Sequence, residues 1–326
     1  MAYTGPTWAS HKEARICFGI QSAKGVIATA FTEIPTKEDC DIDVSPDYNF
    51  FQAGGGYRAA ALYANRGNKI EGKIIMPLVP GYTGSGDLYN WLWGRLEAAG
   101  YYQGDYYATI IKVINLGLAN EWVETYLDVK VRSGSIKLDR GIDYVQVDAD
   151  VEGYALPTTD GSWPTGGDLD TSYVDGSYSP YHFSEAGFAI APTVGGAYAA
   201  TLVTKNHSLE FDNMIENVDS LAGVTTAYDG PNMEWTNWNV SFDQWYVASA
   251  IRSAFLVGTE GMYRATLTRE AGDVATFTMG RIKYTAAPLK VGTGGLIKQE
   301  GVAFRALPLL TDVAVGPCVI TEEADS

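Results

Sequence analysis

Val145-Gln146-Val147-Asp148-Ala149-Asp150-Val151-Glu152-Gly153, running on into Tyr154-Ala155-Leu156-Pro157, is the stretch on which the fold is decided. Apolar and polar residues alternate strictly, and in a strand successive side chains point to opposite faces. Val145, Val147, Ala149 and Val151 therefore share one face, and Gln146, Asp148, Asp150 and Glu152 share the other. The same alternation recurs elsewhere. Ile136 and Leu138 alternate with Ser135, Lys137 and Asp139, and Ile42 and Val44 with Asp41, Asp43 and Ser45. Leu209 and Phe211 alternate with Glu210 and Asp212, and Thr236, Trp238, Val240 and Phe242 with Trp235, Asn237, Asn239 and Ser241. These are sheets with one buried face and one wet, often acidic face. Lined-up acids repel one another, so they need either water or a purpose.

The order of these patterns repeats. In the first half a short acidic strand (41–44) precedes a strand through Ile70-Glu71-Gly72-Lys73-Ile74, a helix over 87–99 and further strands ending in Ala155-Leu156-Pro157. In the second half Leu209-Glu210-Phe211-Asp212 precedes a strand through Thr236–Val240, a helix over 244–257 and strands ending in Ala306-Leu307-Pro308. The two tripeptides lie 151 residues apart, about one domain. The reading is a duplication: a first module at 1–155, a linker or long loop at 156–184 and a second module at 185–326.

Composition agrees with a β-rich class. The 36 glycines and 21 tyrosines, with many Thr and Val residues, suit strands joined by turns. Only two segments carry helical spacing. Leu88, Trp91, Leu92 and Leu96 follow Asp87 as a candidate N-cap and precede Gly100. Val247, Ala248, Ile251, Ala254 and Phe255 follow Ser241-Phe242-Asp243-Gln244, the spacing of a capping box, and precede Gly258. Each apolar stripe must cover a sheet. The fold expected is mainly β, two tandem β-sandwich or barrel modules, each with one flanking helix.

No run of 18 apolar residues occurs, and Met1–Trp8 lacks the apolar centre of a signal peptide. Cys17, Cys40 and Cys318 are too few and scattered for a disulfide framework or zinc site, so folding in a reducing cytoplasm, away from membranes, is expected. A formal charge of −16 is the wrong sign for gripping nucleic acid by its phosphates. The three histidines stand apart, no Gly-x-Ser-x-Gly occurs, and Gly54-Gly55-Gly56 does not lead from a strand into a helix. Asp148 and Asp150 share one strand face, whereas glycosidase carboxylates flank a bond from opposite sides. Asp168-Leu169-Asp170 and Asp175-Gly176 have the alternating acids of a calcium loop but no bidentate Glu at its end. The expectation is a protein that is not an enzyme and holds no metal or cofactor.

Phe18-Gly19-Ile20-Gln21-Ser22-Ala23-Lys24-Gly25-Val26, Ile70–Ile74, Tyr107–Ile111, Val129–Ile136 and Val147–Gly153 together resemble the tail tube proteins of long-tailed bacteriophages, in a duplicated, two-module form. The first of these is similar to the family's opening strand and "A-x-G" turn, the second to its "G-x-I" strand before a single helix. The aromatic second half, with Trp235, Trp238 and Trp245, departs from the pattern. The resemblance implies a homo-oligomeric ring stacked into a tube within the virion, assembled in the host cytoplasm. Its partners would be further copies of itself, other tail proteins such as the tape measure and terminator, and genomic DNA in transit without sequence recognition.

Three copies of a duplicated chain would give pseudo-six-fold symmetry. With four strands per module the barrel has roughly 24 strands, about 48 Å across the backbone at about 4.8 Å spacing and about 40° tilt. The lumen-facing residues implied are Asp41, Asp43, Gln146, Asp148, Asp150, Glu152, Glu210 and Asp212. Acids there would repel phosphates and let DNA slide. Two other classes fit parts of the chain. A carbohydrate- or receptor-binding virion protein would use aromatic platforms such as Tyr101, Tyr102, Tyr106 and Trp163. A β-sandwich hydrolase would need a perturbed acid pair in a cleft.

Overall fold

The computed structural model describes residues 14–36, 40–52, 60–79, 87–93, 106–115, 121–138, 144–158, 163, 168–170, 179–201, 204–216, 236–245, 250–270, 273–289, 298–308 and 317–323. The first half contains β1 (Ala14–Ile20), β2 (Ala30–Ile34), β3 (Asp41–Gln52), β4 (Ala60–Pro77), α1 (Asp87–Trp93), β5 (Ala108–Asn115), β6 (Glu121–Leu138), β7 (Gln146–Gly153) and β8 (Asp168–Asp170). After a 3-10 turn at Phe183–Glu185 come β9 (Ala186–Ala191), β10 (Ala199–Thr201), β11 (Thr204–Asp212) and β12 (Asn237–Trp245). They are followed by α2 (Ala250–Val257), β13 (Glu260–Glu270), β14 (Asp273–Ala286), β15 (Lys298–Ala306) and β16 (Val319–Glu323). The protein is mainly β, and no helix among the described residues is long and apolar enough to cross a membrane.

The pairing order of the first half is β2-β1-β5-β6-β7-β4-β3, and that of the second is β10-β9-β13-β14-β15-β12-β11. Every one of these pairs is antiparallel. Irregularities fall in matching places. The register of β6 on β7 slips between Val131 and Ser133, and that of β14 on β15 between Tyr284 and Ala286, 153 residues on. The turn after β1 closes with Val26 N–H to the Ala23 carbonyl at 3.1 Å, and that after β9 with Gly196 N–H to the Thr193 carbonyl at 3.1 Å. Gly25 and Gly195 supply the positive φ, 76° and 78°, that each turn demands. The registers also align the remaining strands. Glu152 and Arg305, 153 residues apart, stand opposite Glu71 and Asn239, which in turn stand opposite Asp43 and Glu210. Ala155-Leu156-Pro157 and Ala306-Leu307-Pro308, 151 residues apart, miss this offset by two and are not in equivalent places.

β11 also pairs antiparallel with the C-terminal part of β6, from His207 opposite Leu138 to Asp212 opposite Ser133. The two halves thereby share one antiparallel ribbon, β3-β4-β7-β6-β11-β12-β15-β14, four strands from each. At the junction Phe211 lies opposite Gly134, where an added Cβ would sit 2.3 Å from the Asp148 carbonyl oxygen and 2.5 Å from Phe211 Cζ. The bare glycine lets the ring lie on the sheet. The α1 C-terminus is held by the second half. Asn213 Nδ2 donates to the Leu92 and Val131 carbonyls at 3.0 and 2.9 Å, and Thr236 Oγ1 donates to the Trp93 carbonyl at 3.1 Å. Trp93 packs against Trp238 and Phe277 (centroids 6.3 and 5.7 Å), so one apolar core runs through both halves.

Both helices cover a sheet, α1 against β1 and β6, α2 against β14. Trp91 is buried and donates its indole N–H to the Val129 carbonyl at 2.9 Å. The second helix is shorter than its spacing implies. Ser241–Gln244 does not cap it but continues β12, paired with β11 and β15, and period-two burial of Val240, Phe242 and Gln244 wins over the capping pattern. Gly258 (φ 75°) does close α2, with Thr259 N–H bonded to the Ala254 carbonyl at 2.9 Å. Val247, Ala248, residues 94–99 and Gly100 lie outside the described residues, as do Gly54–Gly56, Trp235, Tyr101 and Tyr102. The stretch read as a linker contributes β8, parallel to β2, and buries Tyr181, whose backbone bridges Leu78 and Val145.

Candidate functional site on the polar face

The polar face of the eight-strand ribbon carries five of the eight expected residues in two cross-strand rows, while Asp43 and Glu152 flank Glu71 in another and Gln146 lies opposite Lys137. Of the two rows, one runs Asp41, Lys73, Asp150, Ser133, Asp212, Asn237, each opposite the next. The other runs Asp148, Ser135, Glu210, Asn239, Arg305, Lys283. Where the rows cross the β6–β11 junction they line an open concavity of about 410 Å³ that includes Lys73, Asp148, Asp150, Glu210 and Asp212.

Five of the eight expected lumen residues, Asp41, Asp43, Asp150, Glu210 and Asp212, are exposed. The other three are not. Gln146, Asp148 and Glu152 are 7%, 5% and 8% exposed, because longer neighbouring side chains fold over them. Asp148 sits between Lys137 Nζ at 2.5 Å and Lys73 Nζ at 3.2 Å, and Gln146 Nε2 donates to its other oxygen. Burial pushes its carboxyl up, but the hydrogen bonds from Lys137 and Gln146 and the lysine charges outweigh that and hold it below the usual carboxylate range. Glu152 faces Arg132 at 3.9 Å. The face is therefore not a continuous acidic strip. Its acids are interleaved with Lys73, Arg132, Lys137 and Arg305, and with the neutral polar groups of Ser133, Ser135, Asn237 and Asn239. Of these bases, Lys73 was legible in the sequence, on the side of its strand away from Ile70 and Ile74.

The exposed acids bind locally. Asp150 accepts from Ser133 Oγ at 3.0 Å and Asp212 from the Met214 N–H at 2.8 Å. Asp41 accepts from the Ile42 N–H at 2.9 Å and from Lys112 Nζ at 2.5 Å, and Asp43 from the Val44 N–H at 2.7 Å. Replacing Asp150 with Asn keeps an acceptor for Ser133 and should shift the thermal midpoint by no more than about 1 °C, since exposed sites cost within about 0.5 kcal/mol. Calorimetry checks this.

Among the described groups with catalytic or ligating chemistry, His207 is strongly perturbed. It is buried, stacked against Phe188 (3.8 Å, 11°) and Phe242 (5.1 Å, 4°), and its Nε2 lies 2.6 Å from the Tyr263 hydroxyl. Desolvation lowers its pKa to about 3, so it is a neutral core side chain, out of reach of the polar face. Cys17 is likewise buried, its thiol pushed up to about 12 by burial. Asp168 and Asp170 lie on β8, and among the described residues no three His, Cys, Asp or Glu side chains converge as metal ligands would. Trp163 packs edge-on against Phe31 at 5.4 Å and Tyr106 packs on the core, so neither stands out as a platform for a sugar. No protein-family model matches the chain, and no curated protein is found to be similar to it.

Proposed function

We propose that this chain is a structural subunit that closes with copies of itself into a ring, and that such rings stack into the tail tube of a long-tailed bacteriophage, the polar face lining a passage for genomic DNA. The observation that carries this reading is the ribbon β3-β4-β7-β6-β11-β12-β15-β14, in which two halves of identical pairing order contribute four strands each and join edge to edge. An edge-to-edge repeat that already occurs once within the chain can recur between chains, and closure removes exposed sheet edges. On this reading the two halves are two tube modules, and three copies supply about 24 strands around a lumen wide enough for a DNA duplex.

The polar face suits such a wall. Its cations have partners within the protein: Lys73 and Lys137 are held by Asp148, Arg132 faces Glu152, Arg305 donates to the Asn237 side-chain oxygen and Lys283 to the Gly258 carbonyl. Asp150, Glu210 and Asp212 stand in the concavity with Ser133, Ser135 and Asn239. Phosphates would meet water and carboxylates rather than free Lys or Arg, so counterion release would not hold the DNA. Asp148, kept ionised between two lysines, is unsuited to donate a proton as the general acid of a hydrolase. The tape measure and terminator proteins would be its partners in the virion.

Negative-stain electron microscopy of the purified protein tests the reading. Rings or stacked tubes with a central hole are the expected result, and a protein that stays monomeric at high concentration and in crowding agents would overturn it. Replacing Asp150, Glu210 and Asp212 together with Lys should leave tubes intact but slow DNA ejection from phage carrying the variant. The slowing should ease as salt rises, because each added phosphate contact contributes about 0.9 to the salt exponent.

A further inference from the structure

Among the described residues β3 pairs only with β4, whereas its counterpart β11 pairs on both sides, with β12 and with β6. The registers that set Asp43 in the place of Glu210 set Ile42 in that of Leu209, Val44 in that of Phe211 and Pro46 in that of Asn213. Asn213 N–H donates to the Arg132 carbonyl of β6, so on β11 the alternate N–H groups of 209, 211 and 213 face β6. The equivalent groups of β3 belong to Ile42, Val44 and Pro46. Proline has no N–H, and the other two do not reach another strand. Ile42 N–H is taken by the Asp41 carboxylate at 2.9 Å and Val44 N–H by that of Asp43 at 2.7 Å. Lys112 Nζ, ion-paired with Asp41, also reaches the Ile42 carbonyl at 3.4 Å. The edge is closed by side chains.

The complementary edge lies at the other end of the ribbon. Offset by 153 residues, Ser133 to Ile136 of the β6 segment that receives β11 corresponds to Ala286, the last residue of β14, and the three residues after it, to Leu289. Ile136 is fully buried beneath Leu209, while Leu289 is 37% exposed. The α1 end is covered by the second half, while at the α2 end Leu256 and Val257 are 67% and 80% exposed. Three bare apolar side chains thus sit where the internal junction, repeated, would bury them. Pro288 is compatible with docking, because it occupies the place of Ser135, whose N–H points to the β7 side, away from β11. Side-chain volumes fit as well. The junction sets Phe211 on Gly134 within the chain and would set Val44 on Ala287 between chains.

We propose that the edge of β3 from Asp41 to Ser45 docks on Ala286–Leu289 and the bare end of α2 in a second copy of this chain, in the register β11 takes on β6, and that the Asp41 and Asp43 carboxylates hold this edge closed until then. The proposal rests on the ring reading above and names its contact and its brake. In the docked state Ile42 stands opposite Leu289 and Val44 opposite Ala287, and their N–H groups exchange carboxylate for carbonyl partners. The brake is kinetic and thermodynamic, since two charge-assisted hydrogen bonds must break before the strands pair. It is one of the ways a sheet edge is kept from premature association.

Double-cysteine variants in a Cys40→Ser background test the contact. Ile42→Cys with Leu289→Cys, and separately Val44→Cys with Ala287→Cys, should give on oxidation a covalent ladder that ends at a closed ring, while each single variant gives none. The out-of-register pair Ile42→Cys with Ala287→Cys serves as control and should cross-link at least tenfold less. Leu256→Asp, at an exposed site, should leave thermal stability unchanged and raise the concentration needed for assembly at least tenfold. Asp41→Ala with Asp43→Ala should lower that concentration by about 5-fold or more, as expected for two competing hydrogen bonds removed. Rings that form but cross-link equally well out of register, or assemble normally with Leu256→Asp, would overturn the contact and leave the ring reading standing. Rings whose in-register pairs cross-link but whose assembly is unmoved or weakened by the double alanine variant would overturn the brake alone. Absence of any ring from the unmodified protein would overturn the ring reading and the contact together.

Discussion

Gly134→Ala should lower the melting temperature by about 5 °C, and Gly134→Val by more. A Cβ at this position would meet the Asp148 carbonyl oxygen at 2.3 Å and Phe211 Cζ at 2.5 Å. The first of these is backbone of β7 and cannot swing aside, so β6 must part from β7 or from β11. Overpacking of this kind costs about 3 kcal/mol at the upper end of its usual range, and for a chain of this length that is about 5 °C. Gly187→Ala is the control, since its nearest neighbour is 3.8 Å away, and its midpoint should move by no more than about 1 °C. Because the strain falls on the joint between the halves, amide exchange at Leu209 and Phe211 should rise before exchange elsewhere in the core. A Gly134→Ala midpoint within about 1 °C of the parent protein would contradict the packing described for the junction.

Acid should weaken the fold through His207 well above the pH at which carboxylates titrate. The ring is buried between Phe188 and Phe242, and desolvation takes its pKa from 6.5 to about 3. The unfolded chain therefore binds a proton below pH 6.5 that the folded chain refuses. Stability from this group is complete above pH 6.5 and is lost as pH falls towards 3. By pH 5 the loss is about 2 kcal/mol. Asp148, also held below its ordinary value, acts in the same direction only once pH falls below the carboxylate range near 4. His207→Phe should flatten the slope between pH 6.5 and 5 while costing stability at pH 8, because Tyr263 loses its partner at 2.6 Å. Urea midpoints at pH 8, 6.5 and 5 for both proteins decide it, and an unchanged slope in the variant would contradict the assignment.

The strands were legible where one face is buried and the other wet. Val145 to Glu152 reads directly as β7, and the matching places of β3 and β11 and of β4 and β12 follow from element order. The Ala-Leu-Pro tripeptide was a weaker guide, two residues out of step with the registers. Local pattern misled at Ser241–Gln244, where cap spacing and strand alternation coincide and only pairing on both sides decides for β12. Pairing between the halves was not legible, because a cross-strand register 69 to 79 residues distant leaves no periodic mark. Gly134, a glycine inside a strand at a point of close approach, was its one trace. Burial of Asp148 and Glu152 was hidden for a related reason. Alternation within one strand shows only the acids, while Lys73, Lys137 and Arg132 reach them from neighbouring strands.

The most direct test of the central claim is a cryo-electron microscopy reconstruction of the assembled protein that resolves which face lines the hole. The expected result is three copies arranged with pseudo-six-fold symmetry, a continuous barrel of about 24 strands, and Asp150, Glu210 and Asp212 on its inner wall. An assembly that carries these three acids on its outer surface, or that places the β1 and β9 sides of the two halves around the hole, would contradict it.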